Sequence, residues 1–363
     1  MNGEMSIPTP ERLLELIDRM AGQPVAMLAD LVADRFVTGT PKRISREAPV
    51  LILRYDGERL IPGGGANAVA NVAALGGRPL PLGVVGDDAA GRELVRIFDR
   101  RGIPTSGILT RAGYHTPTKT RILAGGRHSI KQQIVRYDVE DELVLSDAER
   151  RGLLAALRRA SQPPGIRVAV LSDYGYGTVE PGLVPRIREI LGGEAVLLGD
   201  SRYRLGEIEG LDGITPNAEE AVALAGRTID DSPGELERGG RALLAARGAR
   251  FVLITRGSDG MSLFTAAGGA ATADRAASAH LPVHGTDQVA DVTGAGDTVI
   301  GTFALALAAG ASALEAACLA NYAGGVVVMK MGTATLTRQE LSEAVAGDPG
   351  VLDGIVLGDP AER

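Results

Sequence analysis

The chain has 363 residues, of which 45% are hydrophobic and 23% charged, and it carries a formal net charge of −7. This composition is typical of a soluble globular protein with a substantial core. The negative charge argues against a nucleic-acid partner, and no apolar run is uninterrupted enough to predict a membrane span.

The N-terminal region predicts a short amphipathic helix with Thr9 as its cap and Pro10 at its first position. Its apolar side chains share one face, namely Leu13, Leu14, Ile17 and Met20. We expect residues 1–24 to form a helical extension that packs on the body or on a partner. Charged residues interrupt this stretch, so no export signal is predicted. The single cysteine, Cys318, excludes an internal disulfide and indicates a reducing, cytoplasmic compartment.

A buried strand is predicted over residues 25–29, and the acids Asp30 and Asp34 follow it. Acids at the carboxyl end of a strand in an α/β fold face the ligand crevice. Two solvated loop carboxylates would fit this stretch equally well.

Short extended runs predict a small β lid from residues 50–62 and 116–138. In the first segment Asp56-Gly57 predicts a hairpin turn, and in the second Gly125-Gly126 separates two extended runs. The basic residues of the second segment alternate, which predicts that some share a face: Lys119, Arg121 and Arg136. They either protect sheet edges or hold an anionic group of a ligand.

Glycine-rich turns precede two predicted helices. Residues 62–67 read Pro-Gly-Gly-Gly-Ala-Asn, and residues 291–297 read Asp-Val-Thr-Gly-Ala-Gly-Asp. Such turns allow close approach to the backbone, and the free amides of a helix start bind anions. A plain flexible turn and a helix-capping Asp297 are the alternatives. If Asp297 is functional, its role is to accept a proton from an attacking hydroxyl.

Between these turns, strands and helices alternate in a βαβ pattern that implies a parallel sheet. Asn217 and Glu220 have the spacing of a capping box at a helix start. The same pair has the chemistry of a magnesium site completed by water.

The two glycine motifs, with Asn-x-x-Glu between them, resemble the signatures of the ribokinase-like (PfkB) carbohydrate kinases. The resemblance implies an α/β three-layer sandwich over residues 25–345, with a mainly parallel sheet, helices on both faces and the β lid. Residues 346–363 would be a C-terminal tail.

The resemblance also implies roles for individual residues. Asp297 would be the catalytic base, and the amides of Gly294, Ala295 and Gly296 would form an anion hole. Asp34, Gly64 and Asn67 would hold the sugar, with Lys119, Arg121 and Arg136 as candidates for an anionic group on it.

For the nucleotide side, the resemblance implies ATP with Mg²⁺. Thr255 and Gly257 would lie along the phosphates, Asn321 would line the adenine pocket, and Asn217 with Glu220 would organise Mg²⁺ through water. Asp291 would be a candidate ligand of a monovalent cation such as K⁺.

Within the family, four segments resemble the bacterial heptose-7-phosphate kinases of ADP-heptose synthesis, namely residues 43–50, 62–67, 172–174 and 291–301. That branch phosphorylates the anomeric oxygen of a heptose 7-phosphate. Tyr176 and Arg202 stand where that branch has lysines. The expectation is a stand-alone, homodimeric kinase; alternatives are a kinase for another sugar or nucleoside, and a non-catalytic regulator that binds nucleotide or sugar.

Overall fold

The computed structural model describes residues 5–126, 131–162, 165–226, 233–266, 276–285 and 290–358. Its helices are α1 Pro10–Arg19, α2 Gly65–Ala74, α3 Ala89–Arg100, α4 Asp147–Ala160, α5 Val184–Leu191, α6 Ala218–Ala225, α7 Pro233–Arg247, α8 Ala295–Ala308, α9 Ala313–Val328, α10 Arg338–Gly347 and α11 Gly350–Asp353. Its strands are β1 Pro24–Ala29, β2 Leu31–Ile44, β3 Leu51–Gly64, β4 Arg78–Gly86, β5 Ile108–Arg111, β6 Thr118–Ala124, β7 Gln132–Val139, β8 Val168–Asp173, β9 Val196–Ser201, β10 Gly213–Ile214, β11 Phe251–Thr255, β12 Met261–Ala266, β13 Ala276–Leu281 and β14 Val356–Gly358.

A large sheet has the strand order β14-β13-β12-β11-β10-β9-β8-β1-β4-β5. The pairs from β11 through to β5 are parallel, whereas β12, β13 and β14 add antiparallel strands at one end. The prediction of a mainly parallel sheet is confirmed. Parallel strands bring their carboxyl ends to one edge, where Asp30 follows β1, Asp173 ends β8 and Asp200 lies near the end of β9.

Apolar side chains cover both faces of this sheet, as its alternating pattern requires. Along β1, Val25, Met27 and Ala29 pack into a core with α1, α2, α3, α8, α9 and α10. Ala26 and Leu28 point the other way, into a second core with α4, α5, α6 and α7. The three-layer prediction is confirmed. In the described part of the chain no helix is both long and apolar enough to cross a bilayer.

Both chain ends belong to the body in the residues that are described. In α1, Leu13, Leu16 and Ile17 are fully buried in the first core, and Leu14 packs against it partly buried. The helix therefore packs on the body, which was one of the two predicted alternatives, and Leu16 is a buried residue that the predicted face left out. At the other end, β14 pairs with β13, so residues 346–358 are not a free tail. Residues 1–4 and 359–363 lie outside the described ranges.

The lid is a separate sheet of order β3-β2-β6-β7, and two parts of its prediction need correction. First, β2 extends over residues that were not predicted to be a strand. Second, Asp56-Gly57 is not a hairpin turn, because β3 runs continuously along β2 and Asp56 is the extra residue of a bulge opposite Thr38 and Gly39. Residues 127–130, which separate β6 from β7 in the chain, lie outside the described ranges.

Candidate active site

The N-terminal end of α8, referred to below as the helix mouth, begins at a glycine in the left-handed conformation. Gly294 has φ +82° and caps the helix, and a Cβ there would lie 2.6 Å from Asn67 Nδ2. Thr298 N–H is the first amide that donates back into the helix, to Gly294 O at 3.1 Å. Within the described chain, the amides of Gly296 and Asp297 have no acceptor, as expected at a helix start.

Of the three amides predicted to form the anion hole, that of Ala295 is already engaged, whereas those of Gly294 and Gly296 have no backbone acceptor among the described residues. Ala295 N–H donates to Val292 O at 3.2 Å, so this amide is engaged in the turn itself. The amides of Gly296 and Asp297 remain for an anion, together with the dipole of α8.

Asp297 is buried at this mouth with both carboxylate oxygens hydrogen-bonded. Tyr174 Oη donates to Oδ1 at 2.6 Å, and Asn67 Nδ2 donates to Oδ2 at 3.1 Å. Burial raises the pKa of Asp297 to about 7, against the lowering effect of these two donors. A carboxylate with this pKa is suited to general-base catalysis near neutral pH.

The first glycine turn packs against Asp34 and against the ring of Tyr174, which is hydrogen-bonded to Asp297. Gly64 has φ +50°, and a Cβ on it would lie 2.9 Å from Val32 Cγ2, while a Cβ on Gly63 would lie 2.6 Å from Asp34 Oδ2. Asp34 is buried, accepting from Arg121 Nη1 at 2.5 Å and from Thr333 Oγ1 at 3.0 Å. The structure thus gathers Asp34, Gly64 and Asn67 in one site with Asp297, although they are far from Asp297 in the sequence.

The inner face of the lid carries the three predicted cations, because the register places them in line. Asp34 and Phe36 of β2 lie beside Lys119 and Arg121 of β6, and Arg121 lies opposite Arg136 of β7. The prediction that the alternating cations share a face is confirmed.

These cations differ in how far they are already neutralised. Arg121 is paired with Asp34, and Arg136 Nε donates to Asp138 Oδ1 at 2.9 Å. Lys119 forms no ion pair with any described residue and stands 5.3 Å over the ring of Tyr174. Burial, with repulsion from Arg136, lowers the pKa of Lys119. Of the three predicted cations, the half-buried Lys119 is therefore the one best placed to receive an anionic group.

A fourth cation on this face was missed from the sequence. Arg59 lies directly opposite Phe36, and its guanidinium carbon stands 4.9 Å over the Phe36 ring. The available signal was the position of Arg59 in an extended segment. The hairpin wrongly predicted at Asp56-Gly57 broke this segment in two, so Arg59 was not predicted to lie beside β2.

A cleft of about 910 Å³ opens from the mouth of α8 along the carboxyl edge of the large sheet. Its lining includes Gly296 and many polar side chains, among them Asp200, Arg202, Asn217, Glu220 and Thr255. Gly257 follows Thr255 in a turn with φ +56° and an open Cβ direction. The cleft is large enough for a nucleotide.

Asn217 and Glu220 form the predicted capping box of α6. Glu220 N–H donates to Asn217 Oδ1 at 2.8 Å, and Asn217 N–H donates to Glu220 Oε2 at 2.9 Å. Both residues also line the cleft, so their structural role does not exclude a role towards a ligand.

Asp200 is the acid of the cleft that sequence reasoning did not assign. Burial first, then repulsion from Asp297 and Glu220, raises the pKa of Asp200 to about 8. Burial also raises the pKa of Glu220. Two neighbouring carboxylates whose pKa values are raised in this way fit a divalent cation, which would stabilise their charged forms. The position of Asp200 at the end of a predicted strand was the sequence signal that could have identified it.

No group of three His, Cys, Asp or Glu side chains in the described residues is arranged to hold a metal directly. Asp200, Glu220 and Asn217 therefore fit Mg²⁺ held largely through water, which this ion retains readily.

Two predicted residues are placed differently from the others. Asn321 is buried in α9, donates to Pro282 O at 2.7 Å and is not among the described residues that line the cleft, so its side chain supports the loop after β13. Asp291 accepts from Thr293 N–H at 2.9 Å and from Gly332 N–H at 3.0 Å. Although burial opposes it, these donors lower the pKa of Asp291, so an ionised ligand for a cation is available there.

Comparison with known proteins places this geometry in a family. Residues 35–149 and 204–340 match the sequence model of the pfkB family carbohydrate kinases. The chain is 40% identical over 342 residues to the bifunctional protein HldE of Mesorhizobium japonicum, covering 93% of this chain and 65% of that protein. It is 38% identical over 346 residues to the bifunctional protein HldE of Caulobacter sp. (strain K31), covering 94% and 67%. The chain thus spans about two thirds of the length of these relatives.

Solved structures agree on the fold. Phosphofructokinase-2 from Escherichia coli in complex with substrates and products superposes with a TM-score of 0.69 at 19% identity, covering 90% of this chain and 99% of that one. Arabidopsis thaliana ribokinase complexed with ribose and ATP gives 0.65 at 20% identity, covering 89% and 99%. With two separate regions matching the family model and the acid, glycine turns and cleft in one site, the chain belongs to the pfkB family of carbohydrate kinases.

Proposed function

We propose that this kinase transfers the γ-phosphoryl group of ATP to the anomeric hydroxyl of a heptose 7-phosphate. The observation that carries the proposal is the buried carboxylate of Asp297, which stands in the first turn of α8 beside its free amides and accepts a hydrogen bond from Asn67, three residues after Gly64. A proton acceptor and an anion cradle within one helix turn are what phosphoryl transfer to a hydroxyl requires.

Proton transfer follows from this arrangement. The sugar hydroxyl gives its proton to Asp297 as its oxygen bonds to the γ-phosphorus, and the bond from that phosphorus to the bridging oxygen of ADP breaks. The amides of Gly296 and Asp297 stabilise the charge on the transferred group. Asp34 and Asn67 orient the sugar.

The nucleotide is proposed to lie in the cleft, with its phosphates along Thr255, Gly257 and Arg202. Mg²⁺, when bound, neutralises phosphate charge during transfer. Asp200, Glu220 and Asn217 would hold it, and Asp291 is proposed as a ligand for K⁺. Asn321 would act on the adenine end only through the loop that it supports.

The sugar phosphate is proposed to bind under the lid. Lys119 has no acidic partner among the described residues, and Arg59 beside Phe36 adds a second cation on that face. Arg121 and Arg136 already pair with acids, so we assign them to shaping the lid rather than to direct phosphate binding. A neutral sugar would leave the half-buried Lys119 ammonium without an ion pair among the described residues, which is costly.

The experiment that tests the proposal is a coupled ADP-release assay with Mg-ATP. The acceptors are heptose 7-phosphate, the same heptose without its phosphate, fructose 6-phosphate, ribose and adenosine. We expect kcat/KM to be at least about 100-fold higher for heptose 7-phosphate than for the unphosphorylated heptose, the worth of a buried charge-assisted contact. Preference for a neutral acceptor would refute the sugar-phosphate assignment, and no turnover with any acceptor would favour a regulator.

The Lys119→Met variant is the matched arm of that assay. We expect KM for heptose 7-phosphate to rise by about 10- to 100-fold while kcat/KM for the unphosphorylated heptose changes little. Arg54→Met, which removes an exposed cation of β3, serves as the control for general charge loss. An equal loss on both sugars would show that Lys119 acts on the base rather than on the phosphate.

We propose in addition that the protein is a homodimer joined through its lids. Large apolar side chains are exposed on the outer strands of the lid, which are Leu51, Tyr55, Ile134, Val135 and Tyr137. Such exposure on strand edges is unusual for a surface that faces only water. Sedimentation equilibrium should give twice the 37.6 kDa chain mass, and a Tyr55→Lys, Val135→Lys double variant should give a monomer. A monomeric wild type would refute the dimer.

A further inference from the structure

We infer that Tyr174 is a positioning residue that orients the carboxylate of Asp297 for proton transfer and keeps it in the proton-accepting form. The inference rests on the proposed function, since it assigns Asp297 as the base. Tyr174 is outside both glycine motifs and comes from the loop that follows β8.

Two donors fix the plane of the carboxylate. Tyr174 Oη binds Oδ1 at 2.6 Å and Asn67 Nδ2 binds Oδ2 at 3.1 Å, so neither oxygen can rotate without losing a hydrogen bond. An ionised carboxylate only accepts hydrogen bonds, and two donors therefore favour the ionised form over the protonated one. Loss of one donor would release one oxygen and favour protonation.

The phenol is itself rigidly held, which a positioning role requires. Tyr174 N–H donates to Asp30 Oδ2 at 2.8 Å, and the same buried carboxylate accepts from Tyr176 N–H at 3.0 Å and from Thr178 N–H at 2.9 Å. On its other side the ring packs under Gly64, where a Cβ would come within 3.2 Å of Tyr174 Cε2. The loop therefore aims the hydroxyl at Asp297 from a fixed base.

Tyr174 also joins the base to the proposed phosphate site. The Lys119 ammonium stands over its ring at 5.3 Å. The ring face attracts the cation, and the ring edge carries the hydroxyl that contacts Asp297. A sugar phosphate drawn to Lys119 would thus be set at a fixed distance from the carboxylate.

The surrounding charges act consistently with this role. Burial, then the charge of Asp297, raises the pKa of Tyr174 well above its usual value, so the phenol keeps its proton and donates throughout the working pH range. Charged groups from other elements also face the site, namely Asp34 on β2, Lys119 on β6, Asp200 near the end of β9 and Arg202 after it. Asp34 raises and Lys119 lowers the pKa of Asp297.

The test is a titration of the Asp297 carboxyl in the full chain labelled with ¹³C-aspartate, without substrate. Its signal is assigned by its disappearance in Asp297→Asn. We expect Tyr174→Phe to raise the titration midpoint by about one to two pH units, the worth of one hydrogen bond to a charged group. An unchanged midpoint would overturn the inference, and because no sugar is present this result does not depend on the acceptor.

Kinetics provide the second arm. In Tyr174→Phe the acidic limb of the kcat/KM profile should move to higher pH by the same amount, with kcat at pH 7 reduced about 10-fold or more. Tyr176→Phe is the control, because its hydroxyl donates to Glu140 and its loss should leave the limb in place. A limb that moves equally in both variants would overturn the inference. If Asp297→Asn stays active, the proposed function fails instead.

A variant with 3-fluorotyrosine at position 174 covers the case in which Tyr174→Phe does not fold. It keeps the ring and hydroxyl but makes the phenol a stronger donor. The Asp297 midpoint should then move to lower pH, opposite to the effect of phenylalanine. A midpoint that stays fixed or rises would contradict the inference.

Discussion

Replacing Asp297 with asparagine is expected to cut kcat by about two to four orders of magnitude, the usual contribution of a positioned base. Asparagine has the same shape and keeps an oxygen for Tyr174 or Asn67 to bind, but it has no affinity for the sugar proton. KM for both substrates should change little, because binding groups stay in place. Steady-state kinetics with Mg-ATP and heptose 7-phosphate measures both quantities, and near-normal turnover by the pure variant would refute the assignment.

The pH dependence of stability separates lost chemistry from lost folding. The pKa of Asp297 is raised from 3.8 to about 7 in the folded protein, so the folded state binds this proton more tightly than the unfolded chain. The resulting stability is complete below about pH 4 and is lost as pH rises through 7. Asp297→Asn escapes that loss, so at pH 8 it should melt no lower than wild type. A large drop in melting temperature at pH 8 would mean that the variant is inactive because it misfolds.

The sequence predicted those parts of the site that local rules determine. Gly294 and Gly64 stand at positive φ, and Asn217 with Glu220 forms a capping box, because each of these features depends on a few neighbouring residues. The parallel sheet followed from the alternation of buried strands with helices. The family resemblance then predicted that Asp34 and Asn67 lie in one site with Asp297, although 230 residues of chain separate Asn67 from Asp297.

The lid was predicted less well, for a physical reason. The first half of β2 is buried, whereas its second half, around Lys42, is exposed to solvent. The second half therefore lacks the apolar alternation from which a strand is predicted. Asp56-Gly57 is a residue pair that favours hairpin turns, but here it lies in a β-bulge of β3, which increases the local twist of the strand. Local propensity alone does not distinguish a bulge from a turn.

Tyr174, Asp200 and Arg59 were missed because their importance depends on distant partners. The hydroxyl of Tyr174 matters only through Asp297, 123 residues away in the chain. Asp200 is unusual only because burial and the neighbouring carboxylates raise its pKa. The amide of Ala295 was assigned to the anion hole, but its bond to Val292 O depends on turn geometry that the motif does not specify.

Replacing Gly294 by alanine and replacing Gly296 by alanine are expected to have opposite effects on the free energy of unfolding, although the two glycines lie in one turn. At Gly294 an L-residue is strained by φ +82°, and its Cβ would lie 2.6 Å from Asn67 Nδ2 and 2.9 Å from Thr333 Cγ2. We expect Gly294→Ala to lower the free energy of unfolding by about 1 to 3 kcal/mol. Displacing Asn67 also frees Asp297 Oδ2, so kcat should fall by about 100-fold. Urea denaturation and steady-state kinetics measure the two effects.

At Gly296 a Cβ meets nothing within 4 Å, and the residue is the second of α8. Because alanine favours a helix more than glycine does, Gly296→Ala should be as stable as wild type or more stable, by up to about 1 kcal/mol. Its methyl group nevertheless points into open space where Gly296 lines the cleft, and we expect it to crowd the phosphates and raise KM for ATP by about 10-fold or more. Equal destabilisation by the two substitutions would show that the turn is not held as described. A stable Gly296→Ala with unchanged KM would place the phosphates away from this helix mouth, and with them the cradle on which the kinase mechanism depends.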